Sequence, residues 1–289
     1  MAEFTSHTPG SFSWIELATP DLDGAKNFYG SLFGWETKDL FDAHGNSTYA
    51  MSRLNGKSVA GMGLLPTDGE VSLAWTEVSS AGTEVSSAGT EVSSAWTEVS
   101  SAWSSYISVL DVDATAEAVV AAGGTVLLAP MDVSKSERMA TFADPTGAAF
   151  SAWKAGAHMG VGLANVANTY SWNELLTRDV PTAQAFYSEV FGWRYDTEQT
   201  STGEYLIIND GAGGRIAGML EMPTNAPGER VNHWNVYFTV DDLDAVVEKA
   251  QQMGGQVVAP ESILLKTRRV ITLADSWGAT FTLLEPLAQ

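Results

Sequence analysis

At 289 residues and 45% hydrophobic content, the chain is long enough to bury two cores of ordinary domain size. Its 35 acidic residues against 15 basic ones leave a formal charge of −20, a field that repels polyphosphates and anionic lipid surfaces, so neither nucleic acid nor membrane is expected as a partner. The absence of cysteine excludes disulfides, thiolate zinc sites, cysteinyl iron–sulfur clusters and cysteine nucleophiles.

The N-terminal stretch Met1 to Phe12 has no basic segment leading into an apolar run, and no segment approaches the ~20 apolar residues of a membrane span. A cytoplasmic location is the resulting expectation. The first element is an alternating strand through Trp14, followed by Asp21 as a helix N-cap. Apolar positions 25, 28, 29, 32 and 33 then fall at helical spacing, and Gly34 supplies a stop. Strand-like runs Tyr49 to Leu54 and Val59 to Leu65 flank Asn55-Gly56, a strong hairpin signal.

Next comes the heptad Thr76-Glu-Val-Ser-Ser-Ala-Gly82, restarted at Thr83, Thr90 and Thr97, with Trp96 and Trp103 in place of the glycine in the last two copies. Each repeat carries too little apolar area to hold a coiled-coil seam. It reads as an acidic, Ser-rich spacer inserted in a loop over 76–103, a helix or an added strand being the alternatives. A second unit follows. Tyr106-Ile-Ser-Val leads into Asp111-Val-Asp113, a helix to Gly123-Gly124, a strand at Val126 to Leu128, and a hairpin around Asp144-Pro-Thr-Gly147.

The whole plan then recurs. Trp172-Asn-Glu174-Leu-Leu-Thr-Arg-Asp179 repeats Trp14-Ile-Glu16-Leu-Ala-Thr-Pro-Asp21, Phe186-Tyr187 repeats Phe28-Tyr29, and Phe191-Gly192-Trp193 repeats Phe33-Gly34-Trp35, all at one constant offset. Such ungapped identity marks an internal duplication. Tyr205 to Ile208, Asp210-Gly211 and Ile216 to Met222 form the second hairpin. Val236 to Val240, Asp241-Asp-Leu-Asp244, Gly254-Gly255, Val257-Val258 and Asp275-Ser-Trp-Gly278 form the fourth unit. The fold class is therefore α+β, four βαβββ modules in two domains, 1–155 and 169–289, joined by a linker at 156–168.

Paired units with T-x-D…FY…FGW in the first helix and VDD-x-DA…GG…DP-x-G in the second resemble the vicinal oxygen chelate superfamily, which includes glyoxalase, bleomycin-resistance proteins and extradiol dioxygenases. The doubled form with W-x-E in both first strands is similar to two-domain actinobacterial members, some described as hydroxylases and some found beside polyketide antibiotic pathways. The resemblance covers nearly the whole chain outside the heptads and tail ends. It implies that each pair of units forms an incomplete barrel around a pocket, with a metal held by His, Gln or Glu on first and last strands. Those positions here hold Trp14, Ser104, Trp172 and Asn235, and Ser151 and Thr282. None is a credible divalent-metal ligand set, so no metal and no other cofactor is expected. His7, His44, His158 and His233 offer no helical His/Glu pair that would replace it.

Alternation puts Glu16 on the face of Trp14 and Glu174 on the face of Trp172, the face that the resemblance turns into the pocket. A carboxylate beside Trp in an apolar site has its charged form disfavoured, which suits proton transfer. Glu16 and Glu174 are the catalytic candidates; the plainer reading is an ion pair with Arg53, Arg138, Arg178 or Arg215. Tyr106, Tyr237, Asn235, His233, Trp153 and Thr282 join Trp14 and Trp172 as ligand-binding candidates, although Tyr106 and Tyr237 suit simple packing and His233 a strand-end bond to backbone. Phe28, Tyr29, Phe33, Phe186, Tyr187 and Phe191 are expected in the core. No phosphate loop, dinucleotide fingerprint or nucleophile elbow is present.

The expectation is a metal-independent protein that binds a mostly apolar cyclic or aromatic metabolite in one or both cups. It would sequester that metabolite or catalyse an isomerisation, a cyclisation or a hydroxylation-associated step. A metal-dependent lyase or dioxygenase is the rival reading, and a scaffold using the heptads a third. The two cups differ in sequence, so they need not be equivalent, and a monomer and a homodimer are both open.

Overall fold

A computed structural model of the chain describes residues 3–41, 44–65, 101–200, 203–223 and 231–287. The first unit is β1 (Phe12–Thr19), α1 (Leu22–Phe33), β2 (Glu36–Phe41), β3 (Ser47–Leu54) and β4 (Lys57–Leu64). The second is β5 (Ala102–Ser108), α2 (Val112–Ala121), β6 (Thr125–Asp132), β7 (Arg138–Ala143) and β8 (Ala149–Lys154). The third is β9 (Thr169–Thr177), α3 (Val180–Phe191), β10 (Arg194–Thr200), β11 (Gly203–Asn209) and β12 (Arg215–Glu221). The fourth is β13 (His233–Thr239), α4 (Leu243–Gln252), β14 (Gln256–Leu264), β15 (Arg268–Ala274) and β16 (Thr280–Pro286). The α+β plan of four βαβββ units read from the sequence is the plan of the structure.

Each pair of units makes one eight-stranded sheet, in the orders β2-β3-β4-β1-β5-β8-β7-β6 and β10-β11-β12-β9-β13-β16-β15-β14. Within a unit the first strand lies parallel to the last, and the two units of a sheet meet antiparallel at β1/β5 and β9/β13. The expected caps form. Asp21 accepts from the Gly24 amide and Asp179 from the Thr182 amide, while Gly34 and Gly192 end their helices at φ 71° and 69°, a conformation glycine adopts without strain.

Heptad residues 76–100 lie outside the described residues. The last three residues of that repeat do not belong to an insertion: Ser101 Oγ donates to the Ala18 carbonyl, and Ala102 and Trp103 are the first residues of β5. Trp103 is buried between the sheets, and packing against Phe238 and Tyr29 rather than repeat periodicity decides its place.

The helices of the first and third units are clamped between the two sheets. Tyr29 and Phe33 of α1 meet Phe281 and Phe238 of the second sheet, while Phe186 and Tyr187 of α3 meet Phe150 of the first. The aromatic helix residues are thus core, as their spacing implied, with Phe191 partly buried. Strand residues of opposite parity, including Trp14, Glu16, Trp172 and Glu174, turn to the other face of each sheet, which forms the two cups.

Candidate functional site

The strand register builds the same carboxylate cluster twice. Glu16 lies opposite Ser104 on β5 and beside Gly61 on β4; Glu174 lies opposite Asn235 on β13 and beside Gly218 on β12. In the first cup Tyr49 Oη donates to Glu16 Oε2 at 3.0 Å and Tyr106 Oη to Oε1 at 3.2 Å. In the second, Tyr205 Oη donates to Glu174 Oε2 at 2.9 Å and Tyr237 Oη to Oε1 at 2.5 Å. Trp172 Nε1 donates to Tyr205 Oη at 3.0 Å, so indole, phenol and carboxyl form one chain.

The glycines are a condition of this geometry. A Cβ on Gly61 would collide with the Tyr49 hydroxyl, and one on Gly218 with the Tyr205 hydroxyl. Sequence reasoning missed Tyr49, Tyr205 and both glycines. The available signal was a tyrosine opening the third strand and a glycine in the fourth, present in both copies.

Electrostatics follow from burial. Desolvation pushes the Glu174 carboxyl above its ordinary pKa, and the hydrogen bonds from Tyr237 and Tyr205 pull it partly back. Burial, then the neighbouring carboxylate, drives the phenols of Tyr49, Tyr106, Tyr205 and Tyr237 far up, so they stay protonated donors. Such a cluster favours the neutral form of Glu174 more than water does and links it through Tyr205 to Trp172 on the cavity wall. No ion pair to Glu174 is seen among the described residues, and Arg138, one of the partners considered, is taken by Asp113 and Asp132.

The two cups differ in what covers them. The connection after β8 crosses the first cup, where the His158 ring stands edge-on to Trp14 at 4.5 Å and lies 5.7 Å from Trp153. Trp153 Nε1 donates to the His158 carbonyl at 3.2 Å, the His158 amide donates to Glu137, and the Val161 amide donates to the Ser13 carbonyl at 2.8 Å. Burial lowers the His158 pKa, favouring a neutral ring. Among the described residues no ring stacks on Trp172. Instead the second cup holds a cavity of about 560 Å³, walled by Trp172, Ile207, Ile216, Leu264 and Leu284 and lined also by Phe4 and Val161.

The remaining candidates divide. Asn235 Nδ2 donates to Thr282 Oγ1 at 2.7 Å, and Thr282 lies 2.8 Å from Thr272 Oγ1, so both join the buried polar floor beside Glu174. Asn235 Oδ1 is buried without a partner among the described residues. His233 opens β13 with Nδ1 2.9 Å from the Val231 carbonyl, away from the cavity wall. The sequence expectation of a direct ligand contact at Glu174 is also modified, because Trp172 lines the cavity and the carboxyl does not.

The positions at which the fold's metal would be held do not fit one. Trp14 and Trp172 present only an N–H, Ser151 is hydrogen-bonded to Thr141 at 3.0 Å, and Asn235 turns its amide donor onto Thr282. Among the described residues no three His, Asp or Glu side chains come together to hold an ion.

Comparison with known proteins gives the same fold. Over 96% of this chain and 91% of the other, it superposes with 2,2',3-trihydroxybiphenyl 1,2-dioxygenase from Sphingomonas wittichii at a TM-score of 0.59 and 12% identity. With the Mn(II)-bound glyoxalase from Novosphingobium aromaticivorans the TM-score is 0.59 at 13% identity, over 100% of this chain and 84% of that one. In sequence it is 34% identical, over 100% of both chains, to a Mycobacterium tuberculosis protein provisionally named a glyoxylase, CFP32. It is 31% identical to the anthracycline biosynthesis protein DnrV of Streptomyces peucetius, over 97% of this chain and 95% of the other. The model of the Glyoxalase/Bleomycin resistance protein/Dioxygenase superfamily matches residues 11–151 and 167–283, and the chain is a member of that superfamily.

Proposed function

We propose that the second cup binds a mostly apolar, cyclic or aromatic metabolite of antibiotic-type secondary metabolism, and that it does so without a metal. The observation that carries this reading is the cavity of about 560 Å³ with the partly exposed Trp172 on its wall. That volume suits a small polycyclic molecule, and the aromatic side chains of Trp172, Phe4, Phe12 and Tyr170 among the lining favour a ring system. The names of relatives in anthracycline biosynthesis support the metabolic setting. The first cup, with His158 on Trp14, serves as a structural counterpart. The Glu174 cluster reaches the second cup through Tyr205 and Trp172, and burial raises the pKa of its carboxyl. An isomerisation, a cyclisation or a hydroxylation-associated step is the chemistry this allows, and sequestration alone is the reading if no product forms.

The test is a titration of chelator-treated protein with anthracene-2-carboxamide, followed by tryptophan fluorescence. One equivalent should bind, and Trp172→Ala should weaken binding by about tenfold or more, as expected for loss of a stacked aromatic wall. Binding that needs an added divalent ion, or that survives Trp172→Ala unchanged, would overturn the proposal in favour of a metal-dependent lyase or dioxygenase or of a site elsewhere.

A further inference from the structure

Four cations of this acidic chain form ion pairs among the described residues. Lys26 pairs with Asp23 and Asp39, Lys57 with Glu3, Arg138 with Asp113 and Asp132, and Arg269 with Asp244, Glu261 and Glu285. Two arginines outside these pairs share one cavity. Arg215, at the start of β12, and the half-buried Arg268, at the start of β15, both line the cavity of the second cup. Neither guanidinium has an ion pair or hydrogen bond among the described residues, although Arg268 is the immediate neighbour of the triply paired Arg269.

Sheet order sets the two arginines on opposite flanks of β9 and β13. Register sets them at the same end. Gly218 lies beside Glu174, which puts Arg215 towards the start of β9; Thr282 lies beside Tyr237, and Arg268 opposite Pro286 puts it beyond the end of β13. The carboxylate that also lines the cavity forms no ion pair with them; Asp210 Oδ1 accepts from the Ala212 and Gly214 amides of its own turn. The histidine there adds no charge either: burial lowers the pKa of His7, and its Nε2 lies 3.0 Å from the Val161 carbonyl.

We infer that the ligand of the second cup carries an anionic group, a carboxylate or an ionised phenol, which Arg215 and Arg268 hold while Trp172 meets its ring. This rests on the proposed pocket and names the class of molecule it takes. A chain of charge −20 opposes the approach of any anion, so an anion site in it requires local cations free of internal partners. A guanidinium supplies the planar fork that a carboxylate fits.

The matched pair anthracene-2-carboxylate and anthracene-2-carboxamide tests this, because the two share a ring system and differ in charge. By calorimetry the wild-type protein should bind the carboxylate about tenfold or more tightly than the amide, the scale of one charge-assisted pair, and the preference should shrink as salt is raised. Arg268→Gln and Arg215→Gln should each reduce carboxylate affinity and leave amide affinity within about twofold, with melting temperatures showing that both variants fold. Equal binding of the two probes by wild-type protein, sensitive to Trp172→Ala, would overturn the anion inference and leave the aromatic pocket standing. Binding of neither would overturn both.

Discussion

Glu174 shows how far a single residue can be read from its neighbours in sequence. Alternation put it on the face of Trp172, the resemblance turned that face to the cup, and the pairing of β13 with β9 brought Asn235 opposite it and Tyr237 close enough to donate. Its second donor, Tyr205, comes from a strand whose register is decided only when the sheet forms. The consequence is measurable. Because burial raises the folded-state pKa of Glu174, the native protein retains that proton above about pH 4.3, where the unfolded side chain releases it. Stability contributed at this position is therefore full at low pH and declines as pH rises towards neutrality. In Glu174→Gln that decline should be absent. The gap between variant and wild-type unfolding free energies should thus move in the variant's favour by about 1 kcal/mol or more for each unit that the pKa is raised. Urea melts of both proteins from pH 4 to 7 provide the check, and a gap that does not change with pH would contradict it.

At the scale of elements, two hairpins that look alike in sequence are built differently. Asn55 and Gly56 have φ of 51° and 74°, both left-handed, so they form the tight turn that Asn-Gly signals. Asp210-Gly211 does not close in that way. Its loop runs to Gly214, held by Asp210 Oδ1 on two amides, with the left-handed conformation at Gly213 and a register shift at Asn209. Gly56→Ala should therefore cost about 1 kcal/mol, while Gly211→Ala, at a position with no neighbour near the added methyl and no left-handed strain, should be neutral or slightly stabilising. Thermal melts of the two variants would separate the cases. The strands β2 and β10 carried no alternating signal because they lie at sheet edges with mostly exposed side chains. The start of β5 was masked in the sequence by the heptad running into it.

Across the whole molecule the duplicated helices serve the opposite domain. Tyr29 Oη donates to Asp275 Oδ2 at 2.9 Å and accepts from Trp103 Nε1 at 3.0 Å; Tyr187 Oη donates to Asp144 Oδ2 at 3.1 Å and accepts from Trp234 Nε1 at 2.8 Å. Each hairpin aspartate also uses Oδ1 to hold its own turn amides. Trp35 and Trp193 repeat the exchange by donating to the carbonyls of Asn168 and Gly10 across the interface. Tyr29→Phe leaves a buried indole N–H and a buried carboxylate oxygen each short of a partner, so it should cost about 2 to 3 kcal/mol. The two sheets should nevertheless unfold in one transition, because the apolar contacts of α1 and α3 remain. Calorimetry showing two separate transitions in the wild-type protein would contradict this coupling.

The amino-acid sequence by itself determined the duplication, the strand–helix–strands plan, the helix caps and the shared face of Trp14 with Glu16 and of Trp172 with Glu174. These depend on periodicity and on hydrogen bonds within a few residues. Only the tertiary structure decided that each glutamate lies under two tyrosine hydroxyls with a glycine making room, that His158 stands on the first cup while the second holds a cavity, and that the helix tyrosines reach the other domain. Those outcomes rest on strand register and on contacts between residues 31 to 246 positions apart, where no local pattern carries information.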